Sequence, residues 1–182
     1  MQKKYGGDSR GSRSVSARTK RVVLTGLLFA LMLVLSALEN AIPLPMPVPG
    51  IKLGLANVVV MYSLFFMKKS TAFQLTALKA IFVFFTRGAV ASLLSLCGGL
   101  LSVLVMLLLL AFLKEKISYL MISVVGAVCH NAGQLLAVSA VYTNIFIWAY
   151  FPALLVAGIL AGVATSTLLK ITLPALKRLD LK

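Results

Sequence analysis

The sequence predicts an all-α membrane protein, a bundle of six transmembrane helices, and three observations lead to that prediction. Hydrophobic residues make up 60% of the 182-residue chain and charged residues only 12%, whereas charged residues approach about a quarter of a soluble domain. Apolar runs recur along the chain, and a membrane helix uses about 20 such residues. Most lysines and arginines fall between the runs. This length accommodates six helices and leaves no room for a soluble catalytic domain.

The individual helices are predicted from the apolar runs and the breaks between them. They are expected at about 22–38, 53–67, 71–86, 90–113, 117–140 and 145–170. Four prolines between Ile42 and Gly50 each remove a backbone donor and fix φ, so this segment is expected to be an extended loop. Pro152 is expected to kink the sixth helix and Pro174 to end it.

Three regions and an orientation follow from the charges. Residues 1–19 are basic and almost without apolar side chains, which predicts a disordered tail, followed by the membrane domain at 20–172 and a second basic tail at 173–182. Loops rich in lysine and arginine stay cytoplasmic. Of the 18 lysines and arginines, this rule places all on the cytoplasmic side except Lys52, Lys79 and Arg87. We therefore expect a bacterial cytoplasmic membrane protein with both termini inside. The net charge of +14 then reflects topology rather than nucleic-acid binding.

Polar residues within or beside the apolar runs predict a ligand site, because such side chains are costly in lipid and normally face a cavity or a partner. The candidates are Glu39, Lys52, Asn57, Lys79, Arg87, His130, Asn131 and Gln134. All except the mid-helix Lys79 are predicted in the outer half of the membrane, in a pocket roofed by the proline-rich loop, with 130, 131 and 134 forming one stripe on the fifth helix. The alternative for each is structural: an ion pair for Glu39, headgroup contact for Arg87, or a hydrogen-bonded core position for His130.

The composition also indicates the kind of ligand and excludes others. Three cations against one carboxylate favour an anionic or phosphorylated small solute. Aromatic side chains at Trp148, Tyr150 and Phe151 could stack a flat ring or form an interfacial belt. Only four acidic residues occur, and they are scattered, so no catalytic, metal or cofactor site is expected.

Small residues spaced by four indicate close helix packing on two helices. Gly26 and Ala30 form one such face on the first helix, and Gly158 and Gly162 form another on the sixth. Each face could pack inside the bundle, and at least one could serve an external partner.

Two segments carry a family resemblance. The run PVPGIKLGLANVVVMYSLF, which follows SALENAIPLP, and the run GAVCHNAGQLLAV resemble the Gx transporter family, which is similar to the substrate-binding S components of energy-coupling-factor (ECF) transporters. The resemblance extends from about Arg18 to Lys170 and implies a six-helix subunit that binds a small solute, such as a vitamin or its precursor. It also implies a transmembrane coupling subunit and two cytoplasmic ATPases, which must be separate chains because no G-x-x-x-x-G-K-[ST] motif is present.

The resemblance also carries over to individual residues. In S components an Ala-xxx-Ala pattern on the first helix typically contacts the coupling subunit, and Gly26 and Ala30 occupy the matching place with Gly for the first Ala. The family-specific polar positions match Lys52, Asn57, His130, Asn131 and Gln134.

Proteins of this kind are also labelled heptaprenyl diphosphate synthase component I, which gives the alternative prediction. Prenyl synthases resemble one another in Asp-rich DDxxD motifs that hold Mg²⁺ on the diphosphate. Here Asp8 and Asp180 are isolated, so any such role must be that of a membrane accessory subunit. A third possibility is a membrane scaffold without a ligand.

Overall fold

The computed structural model describes residues 9–41, 55–113, 117–142 and 145–180, and the described chain is helical with no strand among these residues. The prediction of an all-α fold is confirmed. The helices are α1 (Ser9–Ala41), α2 (Asn57–Phe66), α3 (Lys69–Arg87), α4 (Ala89–Leu113), α5 (Tyr119–Tyr142) and α6 (Phe151–Asp180), with a 3-10 helix at Ile145–Tyr150. The predicted proline-rich loop lies outside the described residues.

Four stretches of the described helices are long and apolar enough to cross a membrane. These are Thr19–Glu39, Ala89–Leu113, Tyr119–Tyr142 and Trp148–Pro174. The 10 residues of α2 rise only about 15 Å, half of a hydrocarbon core about 30 Å thick. The 19 residues of α3 are long enough, but polar side chains and the central Lys79 make this helix less apolar. The described residues therefore form six α-helices, and four of these helices contain a stretch long and apolar enough for a membrane span.

The ends of the long helices differ from the sequence prediction. The first helix extends back to Ser9, within the segment expected to be disordered. The arginines and Ala17 of residues 9–19 favour a helix, whereas Gly11 and the four serines do not, and extension of an existing helix costs less than its nucleation. The prediction that Pro174 ends the sixth helix is wrong, since α6 continues through it to Asp180. A proline removes one helical hydrogen bond, which membrane helices tolerate. Pro152 lies in the first turn of α6, where a missing N–H costs little.

The short helix α2 forms the centre of the bundle. Its residues 57–64 are all buried, and it packs against the five other α-helices. A helix that is apolar on every side is stable only when it is surrounded. Met61 and Tyr62 accordingly pack with Leu28 and Met32 of α1 in the largest cluster of buried hydrophobic residues.

Glycines bring α4, α5 and α6 into close contact, with α5 between the other two. A Cβ on Gly133 would lie 2.9 Å from the carbonyl oxygen of Cys97 on α4. On the other side of α5, a Cβ on Gly162 of α6 would lie 2.8 Å from the backbone nitrogen of Val124, and the Ser123 hydroxyl donates to the Gly162 carbonyl at 2.7 Å. The small-residue face of α6 is therefore used inside the bundle.

Candidate functional site

Six of the eight predicted site residues are buried in the helix bundle, each no more than 8% exposed. They are Glu39, Asn57, Lys79, His130, Asn131 and Gln134. Arg87 is exposed at the end of α3, and Lys52 lies outside the described residues. We refer to the six buried residues as the polar cluster.

Lys79 connects three helices electrostatically. Its ammonium group interacts with Glu39 at the end of α1, with His130 on α5 and with Arg87 on its own helix. The sequence left the role of Lys79 open between ligand binding and pairing with Glu39. The structure places Lys79 within electrostatic reach of both Glu39 and His130, and its role in ligand binding stays a prediction.

Two adjacent glycines on α4 allow this convergence. Gly99 faces α3, where a Cβ would lie 2.5 Å from Cγ2 of Thr76, one helical turn before Lys79. Gly98 faces α5, where a Cβ would lie 2.8 Å from Cγ of Gln134 and 3.0 Å from Nδ1 of His130. Because neither glycine has a side chain, α3 and α5 both approach α4 closely at the same level.

Asn131 points away from the other two polar residues of α5. Its Nδ2 donates a 3.0 Å hydrogen bond to the carbonyl of Leu154 on α6, and the same atom would lie 3.3 Å from a Cβ on Gly158. His130 and Gln134 instead face Gly98 of α4. The single stripe expected on the fifth helix is therefore divided, with Asn131 joining α5 to α6.

Several polar atoms of the cluster lack hydrogen-bond partners among the described residues. They are Nδ2 of Asn57, Nδ1 of His130, Oδ1 of Asn131 and Oε1 of Gln134. An unsatisfied buried polar atom costs about 1–3 kcal/mol, so native proteins rarely leave several together. Oε1 of Gln134 is an acceptor and Nδ1 of His130 can accept or donate according to its tautomer, and both side chains face Gly98. Oδ1 of Asn131 belongs to the side chain that is turned toward α6.

Two serines of α4 belong to the same environment and were missed in the sequence. The hydroxyls of Ser95 and Ser102 are buried and have no hydrogen-bond partner in the described part of the chain. Ser102 faces α5, since its Oγ would lie 3.4 Å from a Cβ on Gly126, and Ser95 is two turns earlier on that face. The spacing Ser-x-x-Gly-Gly-x-x-Ser was the available signal, because it places small and polar residues on one helix stripe.

The small-residue face of α1 differs from that of α6. Gly26 and Ala30 are both exposed, and a Cβ on Gly26 would meet no atom within 4 Å. Near the start of α6, Trp148 and Tyr150 are also exposed, as in an interfacial belt. The face around Gly26 is therefore open to lipid or to another protein.

Comparison with family models gives a match over most of the chain. A family model described as heptaprenyl diphosphate synthase component I matches residues 28–172, about four-fifths of the chain. The chain belongs to this family. No curated protein and no solved structure matches it. The matched range of the component I family contains the whole polar cluster and Ala30, while Gly26 lies two residues before its start. The resemblance to S components stays a prediction.

Proposed function

We propose that this chain is a non-catalytic membrane subunit of a heptaprenyl diphosphate synthase, which anchors or feeds a separate catalytic chain. The observation that carries the proposal is the component I match over 28–172. A first component requires at least one further component, and the isolated aspartates of this sequence assign the Mg²⁺-diphosphate chemistry to that partner. The membrane helices would keep a water-soluble enzyme beside the bilayer into which its long apolar product partitions.

A second candidate function is solute binding for an ATP-driven importer of the ECF type. The polar cluster favours it, because several buried polar atoms without partners indicate a site that a small solute could complete. The open Gly26 and Ala30 face of α1 would then receive the transmembrane coupling subunit. In this candidate function the solute enters from the outer side and no bond in it is made or broken by this chain.

One experiment separates the two functions. The tagged full-length chain is purified in mild detergent from its native membrane, and the retained proteins are identified by mass spectrometry. An Asp-rich prenyltransferase supports the accessory subunit. A membrane coupling protein together with two P-loop ATPases supports the importer and refutes the first proposal.

A pair of variants sharpens the comparison. Gly26→Leu adds bulk to the open face of α1, where a Cβ would meet no atom within 4 Å. Leu160→Phe adds bulk on an exposed position of α6 and serves as the control. Loss of the coupling protein with Gly26→Leu alone supports the importer, whereas a prenyltransferase retained by both variants supports an accessory subunit that docks elsewhere.

A further inference from the structure

A second polar region lies at the opposite end of α1 from the polar cluster. Two adjoining clefts, of about 330 and 510 Å³, lie between α1 and the turn that joins α2 to α3. Arg21, Lys68 and Thr71 line both of them. Arg21 precedes Glu39 by 18 residues, a rise of about 27 Å along the helix. We refer to the two clefts together as the basic cleft, and it is separate from the polar cluster.

The charges of the basic cleft are all positive among its described lining residues. Lys20 lines the smaller cleft beside Arg21 and Lys68, and no carboxylate lines either one. Cations held near each other repel, and an anion between them converts that repulsion into attraction. Arginine and lysine are also the side chains that bind phosphate groups most effectively. The charge pattern therefore favours a phosphate-bearing ligand.

The beginning of α3 adds further donors. This 19-residue helix starts at Lys69, and Lys68 at its N-cap makes no side-chain capping hydrogen bond. The first N–H groups of a helix carry partial positive charge and favour an anion. Ser70 lines the larger cleft at this same turn. The positive end of the α3 dipole thus lies beside Arg21 and Lys68.

Thr71 provides an independent observation that points to a ligand. Its side chain is only 7% exposed, it lines both clefts, and the hydrogen bond described for it, at 2.8 Å to the carbonyl of Lys68, is donated by its backbone N–H and does not use the hydroxyl. A nearly buried hydroxyl is expected to have a partner. One placed among basic side chains can donate to a phosphate oxygen. Thr71 therefore marks the floor of the basic cleft as a binding surface.

Apolar side chains continue from the charged part of the basic cleft. Leu24 and Phe66 line the smaller cleft, and Phe29 and Leu78 line the larger one. The lining of each cleft therefore combines basic and apolar side chains. That arrangement suits a ligand with an anionic head and a hydrocarbon chain rather than a wholly polar anion.

We propose that the basic cleft binds the phosphate or diphosphate group of a membrane amphiphile. Arg21 and Lys68 neutralise its charge, the Thr71 hydroxyl and the first N–H groups of α3 donate to its oxygens, and its chain lies against Leu24 or Phe29. The same chemistry could come from a prenyl diphosphate or from an anionic phospholipid. The proposal does not depend on the partner chain, because it concerns only residues of α1 and α3 and the turn before α3.

The test uses the full-length chain in nanodiscs of phosphatidylcholine, with binding measured by calorimetry. The probes are inorganic diphosphate, farnesyl diphosphate and, in a second set of nanodiscs followed by native mass spectrometry, phosphatidylglycerol. Arg21→Gln and Lys68→Gln are each expected to weaken binding about tenfold, as loss of a charge-assisted hydrogen bond does. Thr71→Val, which keeps the shape of the side chain, is expected to weaken it several-fold. Both basic residues are exposed, so these variants should fold normally.

Lys170→Gln is the matched control, since this exposed lysine of α6 does not line the basic cleft. Preference for farnesyl diphosphate would identify a prenyl diphosphate as the ligand, and preference for phosphatidylglycerol would identify a lipid headgroup. Equal binding of inorganic and farnesyl diphosphate would support the phosphate site and assign no role to the apolar wall. The proposal is overturned if no probe binds saturably, or if the Arg21 and Lys68 variants bind no more weakly than Lys170→Gln.

Discussion

Replacing Gly133 with alanine tests whether α4 and α5 are in close contact beside the polar cluster. The new methyl group would lie 2.9 Å from the carbonyl oxygen of Cys97 and 2.9 Å from Cα of Gly98. Both are backbone atoms, so the helices must separate rather than a side chain rotate. Overpacking costs about 1–3 kcal/mol, and alanine returns up to about 1 kcal/mol through its higher helix propensity. We expect a net loss of about 1–2 kcal/mol in the free energy of unfolding.

The assay is reversible unfolding in mixed micelles, followed by far-UV circular dichroism, with Gly26→Ala as the matched control. A methyl group at Gly26 meets nothing within 4 Å, so that variant should be unchanged or more stable by up to about 1 kcal/mol. The two substitutions add the same atoms to two helices and differ only in their surroundings. Equal stabilities would refute the argument that α4 and α5 touch at Gly133.

Three further predictions concern polar side chains. Ser123→Ala removes the hydroxyl that donates a hydrogen bond to the Gly162 carbonyl. The free energy of unfolding should fall by about 0.6 kcal/mol, the average for hydrogen bonds between helices in a membrane protein. An unchanged unfolding curve would contradict this prediction. Gln134→Leu removes an unpartnered buried oxygen, so the free energy of unfolding should change by less than about 1 kcal/mol. Small molecules that co-purify with the wild-type protein should be absent from the native mass spectrum of the variant. If the variant retains these molecules, Gln134 is excluded from the site. Lys79→Met removes a buried positive charge that interacts with Glu39 and should lower the free energy of unfolding by about 1–2 kcal/mol, the scale of a charge interaction beyond direct contact. Adding Glu39→Gln should recover part of that loss, and a double variant no better than the single one would disprove the coupling.

The helical fold was predictable because its main signal is composition. Apolar runs separated by charged or glycine-containing breaks locate every helix, and the break at Gly88 coincides with a residue at φ +87°, a conformation that glycine adopts readily. The number of helices that cross the membrane was less predictable. Whether an apolar run crosses the membrane or is enclosed by other helices depends on tertiary packing, and α2 is enclosed although its sequence is as apolar as a spanning segment.

The polar cluster was partly predictable for a similar reason. Unusual residues such as Lys79 and His130 are visible in an apolar sequence because lipid tolerates few of them. Which way each points depends on small rotations between helices, so the turn of Asn131 toward α6 could not be foreseen. Ser102 escaped notice because a serine can satisfy its own helix backbone, and only the structure shows that it does not.

The first helix carries the features that would connect this chain to other molecules. Gly162 of α6 is covered by α5, whereas Gly26 of α1 is open and also lines the larger part of the basic cleft beside Arg21. A protein that docks on the Gly26 face would therefore lie next to the proposed phosphate site. Any differential interaction with the occupied and empty cleft would couple partner binding to ligand binding, and such coupling acts equally in both directions. The position of Gly26 thus links a docking face for a partner protein to the proposed phosphate site, although the two proposals rest on different residues.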